Sequence, residues 1–211
     1  MGGVPSEYNL EDMALDGIAL LDYLKISKAH IVGASMGGMI AQVISLNHPE
    51  RVMTLTGIMT TPGFDTAGLP GPYPEYLKVM KESFMLNLQN KPKESSEVVN
   101  LALIGPNFLE EERKNLMQIL NSMEKHGNNP DSGHMAAVGS SPNRLERLNE
   151  ISIPTLIIHG TEDPLIPVDH GLAISKEIKN SKELIIEGMG HNFPTSRIPA
   201  IIEKMVSHFN E

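Results

Sequence analysis

The sequence predicts an α/β fold, a parallel sheet covered by helices, into which a purely helical layer is inserted. Three observations predict it. Four short runs, "AHIVGA", "VMTLTGIM", "IPTLIIHG" and "KELIIEG", are separated by stretches with helical spacing, and strands that alternate with helices make a parallel, doubly covered sheet. The runs are largely continuous rather than alternating, as strands buried on both faces are. Between residues 62 and 149 no strand pattern appears.

Taken in order, Tyr8 to Leu24 sets Leu10, Met13, Ala14, Gly17, Leu20, Leu21 and Leu24 at three-and-four spacing, which predicts an amphipathic helix. "AHIVGA" follows as the first strand, and "GGMIAQVISLNHPE" suits a helix that stops near Asn47, before Pro49. "VMTLTGIM" is the second strand, ending at Thr60 and Thr61. A Pro- and Gly-rich stretch, "TPGFDTAGLPGPYPEY", then leads to helix-like segments near Glu75 to Leu88, Glu97 to Ile104 and Leu109 to Lys125. Asn107, with Glu110 three residues on, reads as a helix start. "IPTLIIHG" is the third strand, His170 to Ile178 a helix, "KELIIEG" the fourth strand, and Ile198 to Phe209 a closing helix. Residues 1–61 and 150–211 are thus expected to form the sheet-bearing core and residues 62–149 a helical insertion.

Composition narrows the function. With 40% hydrophobic residues in 211, the chain can build one substantial core. Its formal net charge of −9, without a run of Lys or Arg, provides no electrostatic footprint for nucleic acid or an anionic membrane. Small molecules are the expected ligands. There is no cysteine, so neither disulfides nor thiolate chemistry enter. No signal-peptide pattern and no membrane-spanning run is present, which makes a cytoplasmic location the expectation. The glycines from Gly33 to Gly38 lack the lysine of a phosphate-binding loop and the spacing of a dinucleotide site, and the eight His residues lack metal-ligand spacing. No cofactor is implied.

The chemistry concentrates in "HIVGASMGG", where Ser35 is flanked by Gly33 and Gly37. A serine at a sharp strand-to-helix turn needs small neighbours, and Gly-x-Ser-x-Gly between a strand pattern and a helix pattern is the signature of a nucleophile elbow. The helix amino terminus there points free N–H groups at the site, so the N–H of Met36 is a candidate oxyanion donor. A serine hydroxyl needs a base, and the base needs an orienting partner. "HGTEDPLIP" places Asp163 after the third strand and "EGMGHNFP" places His191 after the fourth. Both loops fall at the carboxyl edge of the sheet, where open parallel sheets carry their sites. Singly, Ser35 reads as a packing residue, Asp163 as a turn residue before Pro164, and His191 as a loop histidine. Jointly they stand at three strand ends in the order that a serine elbow uses. Glu162 and Asp65 are rival acids, the first expected to point elsewhere.

"HIVGASMGGMIAQ", "PTLIIHGTEDPLIP" and "GMGHNFP" together resemble the α/β-hydrolase superfamily over nearly the whole chain, with residues 62–149 matching its variable helical lid. The likeness is closest to its serine esterases and lactone hydrolases, such as aclacinomycin methylesterases and enol-lactone hydrolases. The resemblance implies Ser35 as nucleophile, His191 as base and then acid, Asp163 as its orienting partner and Met36 as oxyanion donor. It implies a small ester or lactone as substrate and acyl transfer followed by attack of water. Aromatic residues Phe64, Tyr73, Phe84 and Phe108 are expected around the pocket.

The chain also departs from the family, whose members begin with four further strands and a loop that provides a second oxyanion amide. Here the sequence starts at the helix before the nucleophile strand, and "MGG" reads as a tail. The strand near residues 30–34 is then an uncovered apolar edge. About five lost ladder bonds at roughly 1 kcal/mol each weigh heavily against a stability of about 5 to 15 kcal/mol. Either self-association through that edge or a longer natural protein is the expectation. With one oxyanion amide missing, activity is expected to fall by about 10²- to 10³-fold, leaving open a weak or inactive protein that acts by binding or association.

Overall fold

The structure, a computed structural model, describes residues 7–126 and 133–211. The "MGG" tail lies outside the described residues. Four parallel strands, β1 (Ala29–Ala34), β2 (Val52–Ile58), β3 (Thr155–Gly160) and β4 (Lys182–Ile186), lie side by side in sequence order. Helices α1 (Leu10–Tyr23), α2 (Met36–Asn47), α7 (Val168–Glu177) and α8 (Ile198–Phe209) surround the sheet, while α3 (Pro74–Leu88), α4 (Pro92–Leu103), α5 (Leu109–His126) and α6 (His134–Ser140) lie in the insertion. None of the described helices is long and apolar enough to cross a membrane.

Alternation along each strand divides the core. Leu55 and Ile157 turn one way, into a cluster with Ala41 of α2 and Ile174 of α7. Leu156 and Ile158 turn the other way and meet Ile186, Met189 and Ile201 of α8. A third cluster joins Leu10, Ala14 and Ile18 of α1 to Met39, Val43 and Ile44 of α2. Because both faces of β3 are closed, its residues are buried from Thr155 to Gly160, which is why that run reads as continuously apolar.

The predicted helix starts shift by their caps. Asn9 accepts from Glu11 N and Asp12 N while Asp12 accepts from Asn9 N, a reciprocal box that fixes the start of α1 at Leu10. The helix expected from Glu97 begins five residues earlier, at Pro92, where proline is already set for a first helical position. Asn107 does not cap. Its side chain packs on Gly188, and a one-turn 3₁₀ helix led by Gly105 runs into α5 instead. Helix α6 was not anticipated, since seven residues are too few for a periodic signal.

Among the described residues β1 has one neighbour, β2, and stands at the edge of the sheet. Helix α8 packs against β2 and β3, and at its carboxyl end Phe209 lies against His30 of β1, with ring centroids 4.6 Å apart. Val32, two residues on, is 43% exposed. An uncovered apolar edge pairs with whatever strand approaches it. Light scattering of the chain at rising concentration is expected to report association, and Val32→Lys is expected to reduce it. An unchanged concentration dependence would place any association elsewhere.

Candidate active site

Ser35 alone makes the turn between β1, which ends at Ala34, and α2, which begins at Met36. Its backbone sits at φ 54 and ψ −121, a positive φ that costs a non-glycine residue on the order of 1–3 kcal/mol. Neighbouring groups hold it there. Ser35 N donates to Ile58 O at 2.9 Å, while Ser35 O accepts from Thr60 Oγ1 at 2.8 Å and from Gly38 N at 3.0 Å.

The two glycines the elbow requires are not the pair that the motif suggests. A Cβ at Gly33 would fall 2.1 Å from the carbonyl oxygen of Gly37, and one at Gly38 would fall 2.6 Å from Thr60. A Cβ at Gly37 would meet nothing within 4 Å. Gly33 lets the strand and the first turn of α2 touch, whereas Gly37 faces open space.

Asp163 and His191 arrive from the loops that follow β3 and β4, across the intervening β2. Asp163 lies three residues beyond β3 and is 0% exposed. Its Oδ1 accepts from Leu165 N at 3.0 Å and Ile166 N at 2.8 Å, an Asx-type turn that fixes the carboxylate. Its Oδ2 lies 2.7 Å from His191 Nδ1. His191 Nε2 lies 2.9 Å from Ser35 Oγ. An ionised carboxylate only accepts, so the imidazole proton is on Nδ1, and Nε2 accepts from the serine hydroxyl. The three residues picked from the sequence thus form one hydrogen-bonded chain.

Burial by itself would raise the Asp163 pKa, but hydrogen bonds from His159, His191 and Ile166, with the charge of His191, outweigh it and hold the carboxyl below its ordinary value. The same negative charge adds to burial in raising the phenols of Tyr73 and Tyr76. The rival acids stand apart. Glu162 and Asp65 are both exposed, and Asp65 instead offsets the burial that pushes the Arg144 guanidinium down to about 10.

The histidine loop is held by the insertion. His191 N donates to Leu103 O at 2.7 Å, and Thr195 N donates to Glu112 Oε1 at 2.6 Å. Glu111 accepts from both Ser196 N and Ser196 Oγ. Two clefts open beside these loops and share Ile104. One, of about 270 Å³, is lined by Leu103, Leu116, Ile119, Glu112, His191 and Phe193. The other, of about 470 Å³, is lined by Tyr73, Tyr76, Val79, Glu75 and Glu162. Of the four aromatics expected at the pocket only Tyr73 lines either cleft. Phe108 is buried in the core beneath the Arg197 guanidinium, and Phe64 and Phe84 are exposed.

Sequence reasoning missed Thr60, whose hydroxyl braces the elbow, and His159, whose Nε2 lies 3.5 Å from Asp163 Oδ2. Thr60 was legible only as the end of a strand. His159 was legible only as part of an apolar run.

Two expectations follow. Gly33→Ala is expected to cost about 1–3 kcal/mol in denaturant unfolding, as overpacking does, with Gly37→Ala changing stability far less. Because folding lowers the Asp163 pKa, the unfolded chain takes up that proton first as pH falls. The stabilising contribution is then complete above the ordinary carboxylate value and is lost as pH drops through the lower folded value. Asp163→Asn is expected to flatten this acid limb when the unfolding midpoint is followed against pH.

The chain matches the α/β hydrolase fold family over residues 3–195. It is 29% identical over 205 residues to a rhodomycin D methylesterase of Streptomyces peucetius, covering 89% of this chain and 68% of that protein. It is 31% identical over 191 residues to a 2-hydroxy-6-oxononadienedioate/2-hydroxy-6-oxononatrienedioate hydrolase of Paraburkholderia phymatum, covering 88% and 63%. The chain therefore spans about two thirds of the length of these relatives. The enol-lactonase of Burkholderia xenovorans shares the fold, with a TM-score of 0.74 at 20% identity, covering 99% of this chain and 75% of that one. On its sheet order, its helical layers and the match along nearly its whole length, the chain belongs to the α/β hydrolase fold family.

Proposed function

We propose that the chain is a serine hydrolase that cleaves a small carboxylic ester or lactone through an acyl-enzyme on Ser35. The observation that carries this reading is the unbroken chain Ser35 Oγ, His191 Nε2 and Nδ1, Asp163 Oδ2, with links of 2.9 and 2.7 Å. Ser35 Oγ attacks the acyl carbon as its proton passes to His191 Nε2. Asp163 keeps the ring oriented and stabilises the imidazolium. The Met36 N–H, at the amino end of α2, receives the developing oxyanion, a contribution worth on the order of 10²- to 10³-fold in such sites. His191 then hands its proton to the leaving alkoxide, and in the second half it deprotonates the water that attacks the acyl carbon and returns that proton to Ser35 Oγ as the bond between the acyl carbon and Oγ breaks.

The clefts argue for an uncharged substrate. Among the described residues their charged linings are Glu75, Glu112 and Glu162, and neither Lys nor Arg lines them. A carboxylate in the substrate would enter with like charges and no partner. That favours the ester chemistry in the name of the Streptomyces relative over the dienedioate in the name of the Paraburkholderia relative.

A fluorophosphonate probe tests the reading. The parent is expected to be labelled and Ser35→Ala to be unlabelled. Among nitrophenyl esters, a neutral acyl chain is expected to give at least a tenfold higher kcat/KM than one ending in carboxylate, about 1.4 kcal/mol of discrimination. Labelling that persists in Ser35→Ala, or a folded parent that is never labelled, would overturn the hydrolase reading and leave a protein that acts by binding or self-association.

A further inference from the structure

His159 is a fully buried imidazole for which the acyl-transfer steps above have no use. It sits in β3 beside Gly160, with Nε2 2.8 Å from Ile166 O and 3.5 Å from Asp163 Oδ2. Nδ1 is buried without a partner. It faces Gly171, where even a Cβ would come within 2.4 Å of it. A proton on Nδ1 would bury an N–H with no acceptor, which folded proteins rarely tolerate, whereas a bare ring nitrogen is less costly. With no acceptor at Nδ1, the proton of the neutral ring lies on Nε2, which donates to the Ile166 carbonyl at 2.8 Å and stands 3.5 Å from the Asp163 carboxylate.

This single N–H thus lies between the two ends of one turn. Ile166 donates its own amide to Asp163 Oδ1 at 2.8 Å and offers its carbonyl to His159. Gly171 is what makes room for the ring, because any side chain there would displace it.

We propose that His159 is a positioning residue for the Asp163–His191 pair, fixing the carboxylate through the 163–166 turn and drawing off part of the charge on Oδ2, so that it sets the basicity of His191. The proposal rests on the hydrolase reading of Ser35 for its catalytic meaning. Without that donor, Oδ2 is left with His191 as its remaining side-chain partner, and the imidazolium is stabilised further. The base then titrates at higher pH, and less of it is neutral at a given pH. The other titratable groups around this pair are Tyr73 ahead of α3, Tyr76 on α3 and His170 on α7, which feel the Asp163 charge, Glu112 on α5, which shares the cleft with His191, and, further out, Glu162 and Asp169, which act on Tyr73. The substitutions below leave all of them in place.

Ring ¹⁵N NMR titration of His191 in the parent, His159→Leu, His159→Asn and His159→Gln decides the matter without requiring turnover. Gln extends an amide N–H toward the position of Nε2, Asn stops near Nδ1, and Leu carries no donor. In His159→Leu and His159→Asn the His191 midpoint is expected to rise by about one pH unit, a tenfold gain in proton affinity, with His159→Gln remaining near the parent. A role confined to packing would lower stability in the Leu and Asn variants while leaving the His191 midpoint where it was, and that result overturns the proposal. Should His159→Leu fail to fold, the Asn and Gln pair makes the same comparison. Fluorophosphonate labelling of the same samples reports separately on Ser35. An unlabelled parent defeats the hydrolase reading, whereas an unmoved His191 midpoint defeats the role of His159.

Discussion

A buried carboxylate is the constraint around which the rest is arranged. Asp163 has no solvent to stabilise its charge, and an unpaired charge in that environment costs several kcal/mol. Its donors come from two sources. Two amides of the same turn serve Oδ1, while Oδ2 faces the His191 ring at 2.7 Å and the His159 ring at 3.5 Å. The charge that would make His191 a competent base in the proposed reaction is therefore also the charge that ties the loop after β3 to the loop after β4. Stability and chemistry draw on the same contacts here.

The elbow shows the same economy. A positive φ at Ser35 persists because the sheet over-determines it, with Ile58 and Thr60 at the end of β2 bonded to the amide and carbonyl of the strained residue. The neighbouring strand thus holds Ser35, the proposed nucleophile. Its burial is what makes β2 rigid enough to do so, since Leu55 packs on one face of the sheet and Ile58 on the other.

The residues of the proposed triad were legible because they fall at boundaries between patterns. Ser35 lies where an apolar run gives way to helical spacing, and Asp163 and His191 lie just past two further runs. What was not legible depends on distances between segments far apart in sequence. Gly33 and Gly37 look alike in the motif, yet only the first meets backbone across the turn. His159 lies in a strand whose faces are both covered, so its pattern shows burial and nothing about the hydrogen bond that burial forces on it. Phe108 and Phe84 are both aromatics of the insertion. One packs into the core with Ile58, Met59 and Met189, while the other lies on the exposed side of α3.

The insertion is more than a cover placed over a finished site. It touches the acid loop where Tyr73 N donates to Pro164 O at 2.8 Å, and the base loop where His191 N donates to Leu103 O at 2.7 Å. At the second contact the chains approach so closely that a Cβ at Gly105 would lie 1.9 Å from Gly188 O, and one at Gly190 would lie 2.2 Å from Leu103 O. Helices α3 and α4, which pack on each other, join these two attachments. One cleft lies beside each attachment, and the two share Ile104, the residue that caps α4. A displacement of α4 large enough to widen the cleft beside His191 would thus pull on the backbone that sets the distance from the imidazole to Ser35. Substrate entry is better served by side-chain movement of Phe193 or Ile119, which line that cleft without bearing any of these backbone contacts. Rigid attachment of the insertion and a fixed imidazole are one property of the fold.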